Sequence, residues 1–252
     1  MAAVHEIGSQ QVSSDDVKEG IKFPEKNPTQ MLNPTDKKTA TYICIEGSEG
    51  VGKSSQSQKL VDYLRAKGFK VLHTKEPGTP HAPLTMELRG VMLDKKHDEQ
   101  LTTTGREFIS QAIRSIHMEK CILPALSTYD YIIQDRGMLS GIVYGQACGN
   151  EFDFLLTLCQ AVTKPFGKPW NQIYDKVVLL HGDPAAGLAR AQACKQEFAA
   201  GDVIEGRGNH FMQTVHDLMA QRHEQFFPKH PTIDVTGRSI DQVFELLLDA
   251  IQ

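Results

Sequence analysis

Within EGSEGVGKSS, residues 46–55, glycines, a carboxylate, a lysine and hydroxyls are packed into ten positions. Gly47, Gly52, Lys53 and Ser54 complete the spacing G-x-x-x-x-G-K-[ST], and Ser48, Glu49, Gly50, Val51 and Ser55 fill out the loop. Glycines let backbone N–H groups turn inward around phosphate oxygens that side chains would otherwise block. Lys53 supplies a mobile point charge for β- and γ-phosphates, and Ser54 offers a hydroxyl to magnesium. An apolar run precedes the loop and a helical pattern follows it, so a bound phosphate would also meet the positive end of a helix. Away from a strand and a helix the same letters would be a chance glycine-rich turn. In this setting they point to a nucleoside triphosphate with Mg2+.

The elements around the loop are legible from period and punctuation. TYICIEG, FKVLHT, YDYIIQD, DKVVLLHG and PTIDVTG read as short apolar strands. Between them, KSSQSQKLVDYLRAKG reads as a helix with Leu60, Val61 and Leu64 on one face, stopped at Gly68. Another helix begins near Thr104, which forms a T-x-x-E capping box with Glu107, and runs to Pro124. Further helices are expected at 138–147, 151–162, 184–198, 208–226 and 239–251. Strands alternating with helices give βαβ units: an α/β protein with a parallel sheet covered on both faces. Residues 1 to about 39, with Pro24, Pro28 and Pro34, show no sustained period and read as a weakly structured extension of a domain spanning 40–252.

Composition narrows the class. The 252 residues are 40% hydrophobic and 23% charged, with a formal net charge of −4. That balance suits a globular protein and argues against a dedicated nucleic-acid binder. Five scattered cysteines without a C-x-x-C pair read as reduced thiols of a cytoplasmic protein (host cytoplasm if viral). No apolar run approaches the roughly 18 residues that would cross a membrane, and no signal-peptide pattern opens the chain. The histidines show no metal spacing.

The chain carries no N-K-x-D motif to read a guanine base, so a regulatory GTPase is not indicated. Several stretches instead resemble the thymidylate kinase family: YICIEGSEGVGKSSQSQKLVDYL its first strand, loop and helix, KEPG its E-P-G segment, and IRSIHMEKCILPAL its helix ending in P-A-L. QDRGMLSGIVYGQ is similar to its D-R-[YH]-x-x-S stretch, and DVIE to the end of its mobile lid. The resemblance covers about 40 to 250 in the family's order. It implies the P-loop nucleoside monophosphate kinase fold, a five-stranded parallel sheet with helices around it, and an ATP-dependent kinase that is commonly a homodimer.

By the same resemblance, Arg136 would hold phosphate oxygens and Asp135 would act near magnesium, with Lys53 and a lid basic residue completing the catalytic set. Glu49 would reach the acceptor sugar or a metal-bound water, and Arg89 would grip the acceptor phosphate, although the segment before it carries two extra residues. The lid, about 190–208, offers Arg190, Lys195 and Arg207 as candidate ATP-binding cations. Gln192, Cys194 and Val203 stand where lid arginines often occur.

Arg106, Ser110, Arg114 and His117 share one polar face of their helix, away from Ile109, Ile113 and Ile116. The resemblance makes Arg114 the partner of the acceptor base, whereas a bare periodicity reading makes the face an exposed one. Ser110 occupies the position of a phenylalanine that stacks on thymine, forfeiting roughly 0.5–1.5 kcal/mol of ring-pair energy. Gly137 replaces a tyrosine or histidine, and Tyr144 matches an aromatic residue near C2′ of the sugar. Two bulky groups made small imply a loosened pocket that takes dTMP, dGMP, dAMP and dCMP, as in deoxynucleoside monophosphate kinases of large tailed phages, which this chain resembles. The alternatives are a strict thymidylate kinase whose stacking ring comes from elsewhere, such as Phe108, and a non-catalytic P-loop binding module.

Overall fold

A computed structural model describes residues 39–187, 189 and 203–251. The expected extension over 1–39 lies, but for its last residue, outside that range. Five strands, β1 (Thr41–Glu46), β2 (Val71–Lys75), β3 (Tyr131–Asp135), β4 (Lys176–His181) and β5 (Thr232–Asp234), form one parallel sheet in the order β2-β3-β1-β4-β5. The central strand, β1, pairs with β3 from Thr41 opposite Tyr131 and with β4 from Ile43 opposite Lys176.

Because side chains alternate across a strand, β1 feeds two cores. Tyr42 and Cys44 enter one with Met138, Ile142 and Met219, while Ile43 and Ile45 enter the other with Leu60, Val61, Phe244 and Leu247. A strand buried on both faces needs a continuous apolar run, which explains why TYICI carries no charge before Glu46. The covering helices are α1 (Lys53–Ala66), α2 (Pro83–Leu93), α3 (Thr103–His117), α4 (Met138–Ala147), α5 (Phe152–Thr163), α6 (Gly208–Phe226) and α7 (Ile240–Ile251). None of the described helices is long and apolar enough to cross a membrane.

One helix is added, one lies largely outside the described residues, and one cap is corrected. Residues 83–93 form α2, a helix that the sequence reading did not delimit; Pro83 sits at its first position, where its missing N–H costs nothing. The expected helix at 184–198 is described only at its start, where Asp183 caps the turn by accepting from the backbone N–H groups of Ala185 and Ala186. At α3 the cap is Thr102, whose hydroxyl accepts from Gly105 N at 3.0 Å. Thr104 lies inside the helix, and Glu107 is buried with its carboxylate taking Gln111 Nε2 at 2.7 Å, so the T-x-x-E capping box does not form.

Thr102→Ala should therefore destabilise the protein by about 1 kcal/mol, against a few tenths for Thr104→Ala. Chemical denaturation of the two variants checks this; equal losses would contradict the observed cap.

Candidate nucleotide-binding site

The carboxyl ends of β1 and β3 lie side by side, Ile45 opposite Asp135, and the glycine loop and the Asp135-Arg136 turn emerge together. Ligands of open α/β sheets bind at this edge. In the loop, Lys53 is 5% exposed and its Nζ donates to Ser48 O at 2.5 Å. Ser54 Oγ donates to Asp135 Oδ2 at 2.5 Å, while Asp135 Oδ1 is buried with no partner among the described residues. A hydroxyl against a carboxylate that still has an unfilled oxygen is a donor set suited to a hard, oxygen-seeking cation, so the residues present fit magnesium.

Close backbone approach fixes the loop's other side. Gly50, at φ 69°, meets Gly187 of the segment after β4 so closely that a Cβ would fall 1.7 Å from Gly187 O. Positive φ and this contact together explain the glycine.

Arg136 has φ 64°, a left-handed backbone uncommon for a residue with a side chain. Its Nη1 donates to Gly47 O at 2.9 Å and to Ser140 Oγ at 3.3 Å, and Nη2 donates to Glu49 Oε2. The guanidinium carbon stands 5.2 Å from the centre of the Tyr144 ring. Arg136 thus ties the loop to α4, and it brings the sequence-predicted Glu49 and Tyr144 to one place. Below the turn, Glu46 is buried and accepts from Gly137 N, Ser140 N and Ser140 Oγ. Burial raises the Glu46 carboxyl, partly offset by the Ser140 hydrogen bonds.

The polar face of α3 is buried: Arg106, Arg114 and His117 are at most 7% exposed, which removes the exposed-face reading. Arg114 Nε donates to Glu76 Oε2 at 2.8 Å, and His117 Nδ1 lies 3.1 Å from Glu76 Oε1. Burial pushes the Glu76 carboxyl up, but Arg114 and His117 outweigh it and hold it below the usual carboxylate value. The Arg114 guanidinium lies against Gly141 of α4, and its Nη1 has no hydrogen-bond partner among the described residues. Ser110 is half-buried on the same helix. Arg106 turns away from this group, donating to Met92 O and to Asp98 Oδ1 at 2.8 Å. Arg89 donates to Pro77 O at 3.0 Å and keeps a buried Nε with no partner among the described residues.

Two expectations about the acceptor pocket are corrected. Gly137 does not open it: a Cβ there would lie 2.5 Å from the Tyr174 hydroxyl and 2.8 Å from Cys44 Sγ, so the absent side chain is replaced by core atoms. Phe108 does not replace the stacking ring. It is 55% exposed and meets Phe154 edge-on at 5.9 Å, and two residues along a helix place it about 200° around the axis from Ser110.

Arg190, Lys195, Gln192 and Cys194 fall outside the described residues. Of the lid's other positions, Val203 is buried and donates from its N–H to Leu93 O at 3.2 Å, and exposed Arg207 stacks over Phe211 with 5.3 Å to the ring centre. Sequence reasoning missed Glu46, Glu76, Ser140 and Tyr174. The E-P-G segment was a signal for Glu76, but its pairing with Arg114 across 38 positions was not.

Sheet, loop and paired arginines define a P-loop nucleotide-binding protein. The chain matches the family described as Thymidylate kinase over residues 45–246. It is 34% identical over 214 residues to a thymidylate kinase of Idiomarina loihiensis, covering 84% of this chain and 96% of that protein. With a thymidylate kinase of Acinetobacter baylyi the identity is 29% over 214 residues, covering 84% and 98%. The crystal structure of thymidylate kinase from Ehrlichia chaffeensis shares the fold, with a TM-score of 0.62 at 21% identity over 85% of this chain and 100% of that one. The chain belongs to the thymidylate kinase family, a family of phosphotransferases.

Burial first, and the Arg136 charge second, lower the Lys53 pKa to about 8. A bound polyphosphate favours the charged ammonium, so nucleotide binding should draw a proton onto the free protein near pH 8. Affinity for ATP should fall as pH rises through that value. Calorimetry in buffers of different ionisation enthalpy reads the uptake, which Lys53→Arg, charged throughout, should abolish. Undiminished uptake in that variant would place the titrating group elsewhere.

Proposed function

We propose that the protein transfers the γ-phosphoryl group of ATP to the 5′-phosphate of deoxynucleoside monophosphates, dTMP, dGMP, dAMP and dCMP, supplying deoxynucleotide precursors. The observation that carries this reading is Arg136, whose guanidinium touches Gly47 and Glu49 of the loop on one side and faces Tyr144 on the other. A cation shared between a triphosphate loop and a second pocket is placed to neutralise charge on both reacting phosphates.

Lys53 would meet the β- and γ-phosphates, with Gly47, Ser48, Glu49, Gly50, Val51, Gly52 and Ser55 lining the donor side. Ser54 and Asp135 would hold Mg2+, which when bound neutralises phosphate charge. Arg136 and Arg89 would take the acceptor phosphate, Arg114 the base and Tyr144 the sugar at C2′, where its ring would disfavour a ribose hydroxyl. Arg190 and Lys195 remain the proposed lid cations. The acceptor phosphate has a second pKa of about 6, so it enters already ionised and needs no strong general base. Catalysis then rests on positioning and charge neutralisation.

Breadth of base rests on Ser110 alone, since Gly137 contributes no space. A hydroxymethyl in place of a ring leaves no stacking surface shaped for thymine, while contacts to phosphate and sugar still orient the nucleotide. The names of the relatives favour a second reading, a strict thymidylate kinase.

ATP consumption with dTMP, dGMP, dAMP, dCMP and UMP separately decides between them. Comparable kcat/KM for purine and pyrimidine deoxynucleotides is expected, with UMP poor. Ser110→Phe should raise dTMP turnover relative to the purines. Turnover of dTMP alone would establish the strict enzyme, and none at all would leave a nucleotide-binding module.

A further inference from the structure

We infer that Glu46 is a positioning residue for Arg136, acting through Ser140 and the first turn of α4. The inference rests on the proposed role of Arg136 only for its kinetic consequence, not for its geometry.

Helix α4 begins at Gly137, which has no side chain to accept hydrogen bonds from the first turn. Glu46, at the end of β1 and 1% exposed, takes over that task. Its Oε1 accepts from Gly137 N at 2.8 Å and from Ser140 N at 3.1 Å, the cap residue and the third helical residue. In a capping box these two donors are satisfied by two separate side chains. Here one carboxylate serves both, and its charge lies at the positive end of the helix.

The residue immediately before this cap is Arg136, at φ 64°. Its N–H donates to Ile45 O at 3.0 Å and its carbonyl accepts from Gln134 Nε2 at 2.8 Å. The Arg136 N–H is therefore held from β1, and the peptide joining Arg136 to Gly137 is held at both ends, its carbonyl by Gln134 and its N–H by Glu46. Glu46 and Gln134 together fix the plane on which the left-handed turn leaves, and losing the Glu46 half loosens the aim of the guanidinium at Gly47 and Glu49.

The second part of the device is the Ser140 hydroxyl. It has one proton and gives it to Glu46 Oε2 at 2.5 Å. Only lone pairs then face Arg136 Nη1 at 3.3 Å. A carboxylate accepts and cannot donate, so Glu46 sets the direction of this hydroxyl. A glutamine would keep a carbonyl oxygen for the two backbone donors, but it would present an N–H to Ser140 and free the hydroxyl proton to point at the guanidinium.

The test uses Glu46→Gln, Ser140→Ala and the double variant in the full chain. Glu46→Gln keeps the backbone cap, so it should fold with a Tm close to that of the parent. Its kcat/KM for dTMP should fall roughly tenfold, the worth of one hydrogen bond to a charged group. The KM for ATP should move less than about twofold, since the loop's own contacts persist. Ser140→Ala should show a similar loss, and the double variant should be no worse than either single change. A crystal structure of Glu46→Gln gives a readout independent of turnover: the Arg136 guanidinium should withdraw from Ser140 and Glu49. An unmoved guanidinium, additive losses, or a lowered Tm with unchanged kcat/KM would overturn the inference. An inactive parent chain would instead count against the proposed function, leaving the crystallographic comparison to decide the role of Glu46.

Discussion

Charge burial at the carboxyl edge of the sheet is the constraint on which the rest depends. Glu46, Lys53, Asp135 and Arg136 converge there with little exposure to water, and an isolated buried charge is expensive. Each is therefore held by something specific: Lys53 by the Ser48 carbonyl, Asp135 by Ser54, Arg136 by Glu49 and Gly47, Glu46 by the start of α4. The set is balanced but not saturated. Asp135 Oδ1 and Ser48 Oγ are buried with no partner among the described residues. Unfilled polar atoms beside a phosphate-binding loop are what a site must keep if ligand binding is to gain from satisfying them.

A second buried ion-pair group, Glu76 with Arg114 and His117, lies where α3 meets Gly141 of α4. Its pairing explains how an arginine can be buried deeply in a helix–helix seam without destabilising it. The same pairing fixes the Arg114 side chain on folding, so its side-chain entropy is spent there. Arg136 and Arg114 are alike in this respect: both are ion-paired to carboxylates that fix their direction.

Gly137 shows how a substitution at a familiar position can change role without changing the site. Read as a letter, a glycine in place of a large residue means space. In three dimensions the direction of its missing side chain is occupied by Tyr174, whose hydroxyl accepts from Met138 N at 3.1 Å, and by Cys44. Core packing at native density leaves no such direction empty, so the glycine is needed for close approach rather than for ligand volume.

The sequence by itself determined what depends on local pattern. Strand–loop–helix at residues 41–66, five short apolar strands and the helices at 138–147, 151–162 and 208–226 follow from period and punctuation, and the elements form there, the second of these helices one residue later at Phe152–Thr163. The P-loop was equally legible, because its chemistry is confined to eight consecutive positions. Tertiary structure decided everything that depends on which strands lie side by side. Sheet order put Asp135 against Ser54 across 81 positions and Glu46 beneath Ser140 across 94. It also buried the polar face of α3, which periodicity alone could not tell from a solvated one. A hydrogen bond is a distance between atoms, and sequence separation carries no distance until the sheet has brought the chain back on itself.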